Sequence, residues 1–398
     1  MGKKPRTEAG LPQLTVSPRG ATRLKNGHPW VYRSDISSAD GIPPGSLISV
    51  ADPKGKILGT ALYSSSSQIA IRLLASGVIE NFPELIRERI RQAIAYRKLV
   101  VKNTDGYRLV FSEADFLPGL IVDRYNDLLS LQILTQGMDS EPAREAIVSE
   151  LENQLSPAGI VERVDPRVRE LEQLPSRDSG LLRGTKAETT FTMNGIAFQY
   201  SALEGQKTGA FLDQRENYAA AESYAHGEAL DVFCYQGGFA LHLARRCSQV
   251  TGVDSSRPAL EVADQNSTLN GREIEWIEAN AFDLLKDYAA TGRQYDTIVL
   301  DPPAFAKSRK NLETALRGYK ELNLRALKML RPGGILVSCS CSYHVSQSDF
   351  LNIISSAAVD VHKNVRILEM RGQAKDHPVV LGIPETSYLK AAICHVSN

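Results

Sequence analysis

The chain has 398 residues, more than one ordinary hydrophobic core accommodates, so two or three domains are expected. Its composition, 42% hydrophobic and 23% charged, is that of a globular protein rather than of a disordered or fibrous one. The first ten residues, MGKKPRTEAG, lack the apolar segment of a secretory signal, and no apolar run approaches the roughly 18 to 20 residues of a membrane helix.

The cysteine content bears on the cellular compartment of the protein, and its charge bears on the partners that it can bind. The five cysteines are an odd number without zinc-type spacing, which predicts neither a disulfide framework nor a metal site and favours a reducing cytoplasm. The formal net charge is zero, so it neither supports nor excludes a nucleic-acid partner. The first 25 residues, however, hold six basic side chains and one acidic one, Glu8. This segment is either an arm that contacts phosphates or a solvated terminus.

Residues 1–78 are rich in short strand-like segments. QLTVS, SLISVAD, KILGTALYS and IAIRLLA are separated by turn signals such as Ile42-Pro43-Pro44-Gly45. This pattern predicts a small β-barrel.

Residues 79–200 are predicted to form a helix followed by a small α+β domain. The helix begins after Asn81, which can cap it, and places the apolar residues of 85–94 on one face. YRLVF, GLIVDRY and LLSLQIL are predicted strands, residues 140–155 a helix that begins at Ser140, and TTFTM-NG-IAFQYS a hairpin, because Asn194-Gly195 suits a type I′ turn. No residue pattern in this part indicates chemistry, so it serves as a scaffold or as a surface that faces RNA.

Residues 201–398 alternate strand and helix, which predicts a doubly wound α/β sheet. The predicted strands are ALDVFC, QVTGVD, IEWIEA, YDTIVLD, GGILVSCSC, VRILEM and YLKAAICHV. In such sheets ligands bind beyond the carboxyl ends of the strands, so the residues at those ends are the candidates for function.

The first two strands end in residues suited to a nucleoside-like ligand. Asp231 is followed by a loop with Gly237 and Gly238, whose backbone can approach a ligand, although two glycines serve equally as a tight turn. Their spacing is not the G-x-G-x-x-G of dinucleotide sites. The second strand ends at Asp254, before Ser255, where a carboxylate can accept both hydrogen bonds of a ribose diol or can simply lie at the surface.

The third and fifth strands add an amide and a thiol. The third ends near Asn280-Ala281, where the amide either meets an adenine edge or caps the following helix. The fifth contains Cys339 and Cys341 on one face, and the one nearer the carboxyl end can protrude into a cleft. We therefore interpret Cys341 as a nucleophile and Cys339 as core filler.

The fourth strand ends in a rigid lip. Asp301 is followed by Pro302 and Pro303, which fix the backbone, and then by Phe305, which has a flat face. A planar base can stack on such a lip while Asp301 accepts a hydrogen bond from it. The alternative is a proline-rich turn that only leaves the sheet.

Several long motifs carry a family resemblance across nearly the whole chain. They are NGHPWVY, YRLVFSEADFLPGLIVDRY, GQKTGAFLDQREN, LDVFCYQGGFALHLA, VDSSRPAL, VLDPPAFAKS and SCSCSYHVSQSDF. In these the sequence resembles the RlmI-type (YccW-like) ribosomal RNA cytosine-5 methyltransferases, which are class I enzymes dependent on S-adenosylmethionine (SAM).

The resemblance implies both the architecture and the site. The expected fold has a PUA-like RNA-binding barrel over 1–78, a central α+β domain over 79–200 and a Rossmann-like methyltransferase sheet over 201–398. Lys207 would help to close the cofactor site, Cys341 and Asp301 would be catalytic, and Pro302, Pro303 and Phe305 would contact the substrate base. The residues expected to hold SAM are Phe211, Asp213, Gln214, Asp231, Gly237, Asp254, Ser255, Asn280, Ala281 and Asp301. Large-subunit ribosomal RNA as the partner, and a homodimer, rest on the resemblance only.

The implied reaction is covalent catalysis. Carbon 5 of cytosine becomes nucleophilic when the Cys341 thiolate adds at carbon 6 and Asp301 binds the N3/N4 edge of the ring. A base must later remove the proton on carbon 5, and the sequence does not identify it; a base in duplex RNA must first be extruded.

Three other functions are weighed against this one. A guanine-nitrogen methyltransferase would need the Asp-Pro-Pro lip but not Cys341. An NAD-dependent oxidoreductase shares the fold type but not the glycine spacing. A non-catalytic RNA-binding factor would have lost the capacity to bind SAM.

Overall fold

The structure is a computed structural model that describes residues 10–203, 210–306 and 308–398. Lys207 and the first nine residues, with part of the basic segment, lie outside the described residues. None of the described helices is long and apolar enough to cross a membrane.

The amino-terminal part is a five-stranded sheet in the order β1-β3-β4-β5-β2. All four predicted strands are present, and the structure adds a helix and a strand that the sequence pattern did not reveal. The helix begins at Pro18, because the Ser17 hydroxyl accepts the Gly20 N–H and proline suits the first turn. The elements are β1 Gln13–Thr15, α1 Pro18–Lys25, β2 Trp30–Tyr32, β3 Leu47–Ala51, β4 Ile57–Tyr63 and β5 Ile69–Ala75.

The central part is a second five-stranded sheet, β10-β9-β8-β7-β6, on which two helices pack. The first helix begins where predicted, because the Asn81 side chain accepts the Glu84 N–H. The second begins after Ser140, but the Ser140 hydroxyl donates to the Gly137 carbonyl instead of capping. The elements are α2 Phe82–Val100, β6 Gly106–Phe111, β7 Leu120–Tyr125, β8 Leu128–Ile133, α3 Glu141–Leu155, β9 Gly159–Glu162, α4 Pro166–Leu171 and β10 Gly180–Gly184.

The predicted hairpin is confirmed as β11 Glu188–Met193 and β12 Ile196–Ser201. Asn194 and Gly195 both have positive φ, 53° and 77°, as a type I′ turn requires. Its apolar residues pack in a core that the carboxyl-terminal sheet shares with Tyr125, Leu128 and Val161 of the central sheet. The sequence-based domain division at residue 200 stays a prediction.

The carboxyl-terminal part is a seven-stranded sheet in the order β15-β14-β13-β16-β17-β19-β18. Each predicted strand is present, and the long helix ends at Met329, before Pro332. The strands are β13 Glu228–Val232, β14 Gln249–Asp254, β15 Glu275–Glu278, β16 Tyr295–Leu300, β17 Leu330–Ser340, β18 Asn364–Arg371 and β19 Lys390–Ser397. The helices are α5 Arg215–Tyr224, α6 Gly238–Leu243, α7 Arg257–Leu269, α8 Ala281–Ala290, α9 Leu312–Met329 and α10 Gln347–Asp360.

The order of these strands fixes where a ligand can bind. From β13 the chain proceeds outward to β14 and β15, then returns across β13 to β16 and β17, so the order reverses between β13 and β16. A crevice opens at the carboxyl ends of the strands at such a switch point. β19 is antiparallel to β17, so its amino end lies at this same edge.

Candidate active site

The loop after β13 is held in an uncommon backbone conformation. Phe233 and Tyr235 are non-glycine residues with φ of 67° and 48°, and Gly237 follows at 84°. A Cβ at Gly237 would lie 2.8 Å from the Trp276 ring, which explains the glycine. Left-handed non-glycine residues are destabilising and persist where the surroundings require them, often at ligand sites. This loop, residues 233–238, is called the glycine loop below. Its backbone is more constrained than that of an ordinary tight turn.

Asp231 lies fully buried at the base of this loop. Its Oδ2 accepts the Ala240 N–H at 2.8 Å, whereas its Oδ1 has no hydrogen-bond partner among the described residues. Burial raises the pKa of Asp231 well above its usual value, and the carboxylates of Asp301 and Asp254 raise it further. A buried acceptor without a partner is destabilising, so this position favours a ligand that supplies a donor or a positive charge.

Asp254 and Asn280 stand at the ends of β14 and β15, as predicted. The two Asp254 oxygens accept the N–H groups of Tyr235 and Ser256, at 3.0 and 2.9 Å, so this carboxylate also fixes the glycine loop. The Asn280 oxygen accepts the Phe282 N–H at 2.9 Å and thereby caps α8. The capping interpretation therefore holds for the Asn280 oxygen. Ser255 is exposed beside Asp254.

The segment before α5 reaches the same crevice. Gln214 donates to Asp301 at 2.9 Å, and the Tyr388 hydroxyl donates to Asp213 at 2.7 Å. The half-exposed Phe211 ring meets the Tyr235 ring edge-on, with centroids 5.0 Å apart. The structure thus brings Phe211, Asp213 and Gln214 to the crevice, although they lie well before β13 in the chain.

Asp301 and the lip that follows it face the crevice from β16. Burial raises the pKa of Asp301 to about 7, with the Asp213 carboxylate acting in the same direction and the Gln214 hydrogen bond against it. Pro302 is buried and Pro303 is exposed. The Phe305 ring packs on Tyr319, with centroids 4.8 Å apart, so the lip presents Pro303 rather than a free aromatic face.

Cys341 follows β17 directly and is half-buried, whereas Cys339 is fully buried, as predicted. The Cys341 thiol lies 3.8 Å from the Pro302 carbonyl, so the thiol and the lip are neighbours. Burial raises the pKa of Cys341 to about 12, and Asp301 and Asp213 raise it while Lys390 lowers it. An isolated thiol in this position is protonated at neutral pH.

Two neighbours of this site were not predicted from the sequence, Tyr388 and Lys390. Both lie at the amino end of β19, and the only signal was a lysine within the apolar run YLKAAICHV. Among the described residues no group of three or more His, Cys, Asp or Glu side chains could hold a metal ion.

Comparison with known proteins defines the class first. A family model described as a PUA-like domain matches residues 14–76, and one described as an S-adenosylmethionine-dependent methyltransferase matches residues 141–382. The crystal structure of SMU.776, assigned as a methyltransferase and solved in complex with SAH, superimposes with a TM-score of 0.83 at 20% identity, over 96% of this chain and 99% of that one. The protein is a SAM-dependent methyltransferase with a PUA-like domain.

Curated relatives narrow the class to a family. The proteins named ribosomal RNA large subunit methyltransferase I from Photobacterium profundum and Yersinia pestis are 38% and 37% identical over 385 residues. Each match covers 94% of this chain and 96% of the relative. The chain belongs to the ribosomal RNA large subunit methyltransferase I family.

The residues present fit SAM, which carries a positively charged ammonium group and a sulfonium. Asp213, Asp231, Asp254 and Asp301 surround the crevice, and the pKa values of Asp231 and Asp301 are raised by burial first and by the neighbouring carboxylates second. Such mutual repulsion is relieved by a bound cation. The unpartnered Asp231 Oδ1 is the acceptor that an ammonium group would satisfy.

Proposed function

We propose that this enzyme forms 5-methylcytosine in large-subunit ribosomal RNA through a covalent adduct between Cys341 and carbon 6 of the cytosine. The RNA substrate is supported by the name that the curated relatives carry. The type of base is supported by one observation, the pairing of a half-buried thiol with an acid of raised pKa at the same lip. Methylation of a guanine nitrogen would use the acid but leave the thiol without a function.

The cofactor would be held by residues from five segments of the crevice. Asp231 would bind the ammonium group, Asp254 and Ser255 the ribose, and Asn280 with Ala281 the adenine edge. Phe211, Asp213, Gln214 and Gly237 would close over it. When bound, SAM supplies the methyl group that carbon 5 of cytosine takes up.

Cys341 and Asp301 divide the activation of the ring between them. The Cys341 thiolate forms a bond to carbon 6, and the electron pair of the 5,6 double bond moves toward carbon 5. Asp301, with a pKa of about 7, is protonated in part of the population at neutral pH and can donate to N3, which favours the adduct. After methylation, a base takes the carbon 5 proton, the 5,6 double bond re-forms as the Cys341 thiolate is expelled, and N3 returns its proton to Asp301.

The amino-terminal domain would bind the RNA outside the crevice. α1 carries Arg19, Arg23 and Lys25, and the Arg19 side chain is 72% exposed although it pairs with Asp35. Basic groups on one helix suit contacts with the phosphate backbone, which position RNA without reading its sequence. A cytosine in duplex RNA would have to be extruded to reach Cys341. Such a substrate places the enzyme in the cytoplasm.

The test is nucleoside mass spectrometry after incubation with SAM that carries a heavy methyl group. Large-subunit RNA transcribed in vitro and unmodified large-subunit particles serve as substrates. Label in 5-methylcytidine supports the proposal, label in a guanosine derivative assigns the enzyme to nitrogen methylation, and no label in either substrate contradicts it.

The cysteine mechanism is tested with two matched variants. Cys341→Ala should reduce formation of 5-methylcytidine to background, because the activating thiolate is lost. Cys247→Ala removes the other half-buried thiol, which lies beyond the carboxyl end of α6, and should leave turnover near that of wild type. Normal turnover by Cys341→Ala would exclude the covalent mechanism.

A further inference from the structure

Lys390 is a buried lysine at the edge of the site. It is the first residue of β19, is 9% exposed and pairs in register with Ser340 of β17. The remainder of β19 is largely apolar and buried. Lysine is almost never fully buried without partners, because its ammonium group is strongly hydrated, so its place here calls for an explanation.

The contacts of the ammonium group place it between two chain segments of the crevice. Nζ donates to the Ser342 carbonyl at 2.6 Å and to the Tyr388 carbonyl at 2.8 Å. Ser342 is the residue after Cys341, and Tyr388 is the residue that donates to Asp213. Two of the three ammonium protons are thus used by carbonyls. Lys390 therefore fixes the backbone that carries the thiol and has one proton left for another acceptor.

The charges around Cys341 explain why a cation is needed there. Asp301 faces the thiol from the end of β16, Asp213 from the segment before α5, and the neutral Tyr319 phenol from α9. Burial and the two carboxylates disfavour a thiolate, and Lys390 on β19 is the cation that acts against them. Burial lowers the pKa of Lys390 to about 8, and Cys341 raises it, so the lysine is largely charged at neutral pH.

We propose that Lys390 is a positioning residue that stabilises the Cys341 thiolate, through its positive charge and through the carbonyl of the adjacent Ser342 that it holds. The inference rests on the proposed function, in which Cys341 attacks carbon 6. The thiol proton leaves to solvent, Lys390 keeps its own protons, and the freed electron pair forms the S–C6 bond. The alternative is that Lys390 only ties the two strands together.

The experiment measures the reactivity of Cys341 without RNA. The full-length protein is alkylated with iodoacetamide across a pH series, and modification of the peptide that contains Cys341 is followed by mass spectrometry. Only the thiolate reacts, so the rate reports the thiolate fraction. An opposite charge within a few ångströms lowers such a pKa by about one to three units. We expect Lys390→Met to slow alkylation at pH 8 roughly tenfold or more, since each pKa unit is a factor of ten.

Two further variants separate charge from structure. Lys390→Arg keeps a charge that does not titrate, so its alkylation rate should stay within about threefold of wild type and should lose the part of the pH profile that follows the lysine. Lys363→Met is the control, because Lys363 is a half-buried lysine that, like Lys390, donates to a backbone carbonyl, here that of Leu330 at the opposite end of β17. It should react like wild type.

The outcomes distinguish this inference from the proposed function. Unchanged alkylation in Lys390→Met overturns the inference even if 5-methylcytidine is formed. Slower alkylation together with label in a guanosine derivative overturns the function and leaves the lysine–thiol coupling standing. Thermal unfolding and SAM titration of each variant show whether it is folded. If Lys390→Met does not fold, the inference is tested by the pH profile of Lys390→Arg instead. An Arg variant that keeps the titration of the wild type overturns the inference.

Discussion

Asp231 is a fully buried carboxylate at the crevice whose Oδ1 has no hydrogen-bond partner among the described residues, and we expect its substitution to change stability and SAM binding in opposite directions. In Asp231→Asn the oxygen bonded to Ala240 can be kept, while an uncharged amide replaces the unpartnered Oδ1. SAM affinity should fall about 10- to 100-fold, because a hydrogen bond to a charged group contributes about 1.5–3 kcal/mol. Isothermal titration with SAM measures this.

The same substitution should stabilise the cofactor-free protein in a pH-dependent way. The pKa of Asp231 is raised above 3.8 in the folded state, so the folded protein holds this proton more tightly than the unfolded chain does. The contribution of Asp231 to the free energy of unfolding is therefore most favourable below pH 3.8 and is lost as the pH rises through the folded pKa. The gain in Tm of Asp231→Asn over wild type should therefore grow as the pH rises. Asp360→Asn, which removes an exposed partner of Lys320, serves as the control. Equal SAM affinity of Asp231→Asn and wild type would contradict the assignment.

At the scale of single residues, most of the candidate site could be proposed from the sequence because its residues lie at the ends of predicted strands. Asp231, Asp301 and Cys341 all follow or end parallel strands, and the structure brings them to one edge. Lys390 and Tyr388 were not predicted because they lie at the amino end of an antiparallel strand, and it is this amino end that lies at the same edge. The direction of a strand depends on pairing, which a single sequence does not display.

Among the secondary-structure elements, α7 links the β11–β12 hairpin to the glycine loop after β13 through Asn266. This buried side chain accepts the Gln199 N–H of β12 at 2.9 Å and donates to the Gln236 carbonyl of the glycine loop at 3.2 Å. Asn266→Ala leaves both groups without a partner, which should reduce the free energy of unfolding by about 1–3 kcal/mol for each group and weaken SAM binding. Urea unfolding and SAM titration measure the two effects.

Asn270 offers a matched control one turn further along the chain. Its side chain bonds both the N–H and the carbonyl of Ala197, but no contact joins it to the glycine loop in the described part of the chain. Asn270→Ala should therefore reduce stability while SAM affinity stays close to that of wild type. A similar loss of SAM affinity in both variants would mean that the hairpin as a whole, rather than Asn266, supports the loop.

These contacts also show that the sequence predicts individual elements better than it predicts how those elements are attached to one another. The hairpin was predicted correctly because Asn194-Gly195 suits a turn with positive φ, which is a local property. Its attachment to α7 depends on amides about 70 residues away, which no local pattern reveals. The helix α1 was not predicted because its eight residues are shorter than the window over which helical periodicity is read, although Ser17 and Pro18 mark its start.

At the scale of the whole molecule, a buried ionic cluster joins the central and carboxyl-terminal parts. Asp376, which is fully buried, accepts two hydrogen bonds from Arg215 of α5 and one from the Arg108 N–H of β6. Its carbonyl accepts a bond from Arg97 of α2 at 2.9 Å. Burial alone would raise the pKa of Asp376, but His377 and Arg215 hold it well below its usual range. The loop that leads to Tyr388 and Lys390 is thus fixed to both the central and the carboxyl-terminal parts.

We expect Asp376→Asn to uncouple the two parts. Removing Asp376 leaves the buried Arg215 with only the more distant carboxylate of Glu216, 3.8 Å away, and breaking a buried pair in this way reduces the free energy of unfolding by about 3–5 kcal/mol. The contribution of Asp376 is present above pH 3.8 and is lost as the pH falls toward its folded pKa, so the difference between wild type and variant should shrink in acid. If the central and carboxyl-terminal parts unfold as separate units, calorimetry at pH 7 should show their transitions further apart in temperature in the variant than in wild type.

The control for this effect is an ion pair that lies within reach of solvent. Asp127→Asn removes the partner of Lys186 on the central domain, where both side chains are about 40% exposed, and such pairs contribute roughly 0–1 kcal/mol. If Asp376→Asn lowers stability no more than Asp127→Asn does, the cluster does not join the domains. We expect a large loss of stability in Asp376→Asn only, together with a fall in turnover as the loop before Lys390 becomes less ordered. That result would show that the orientation of the site depends on contacts between the central and carboxyl-terminal parts.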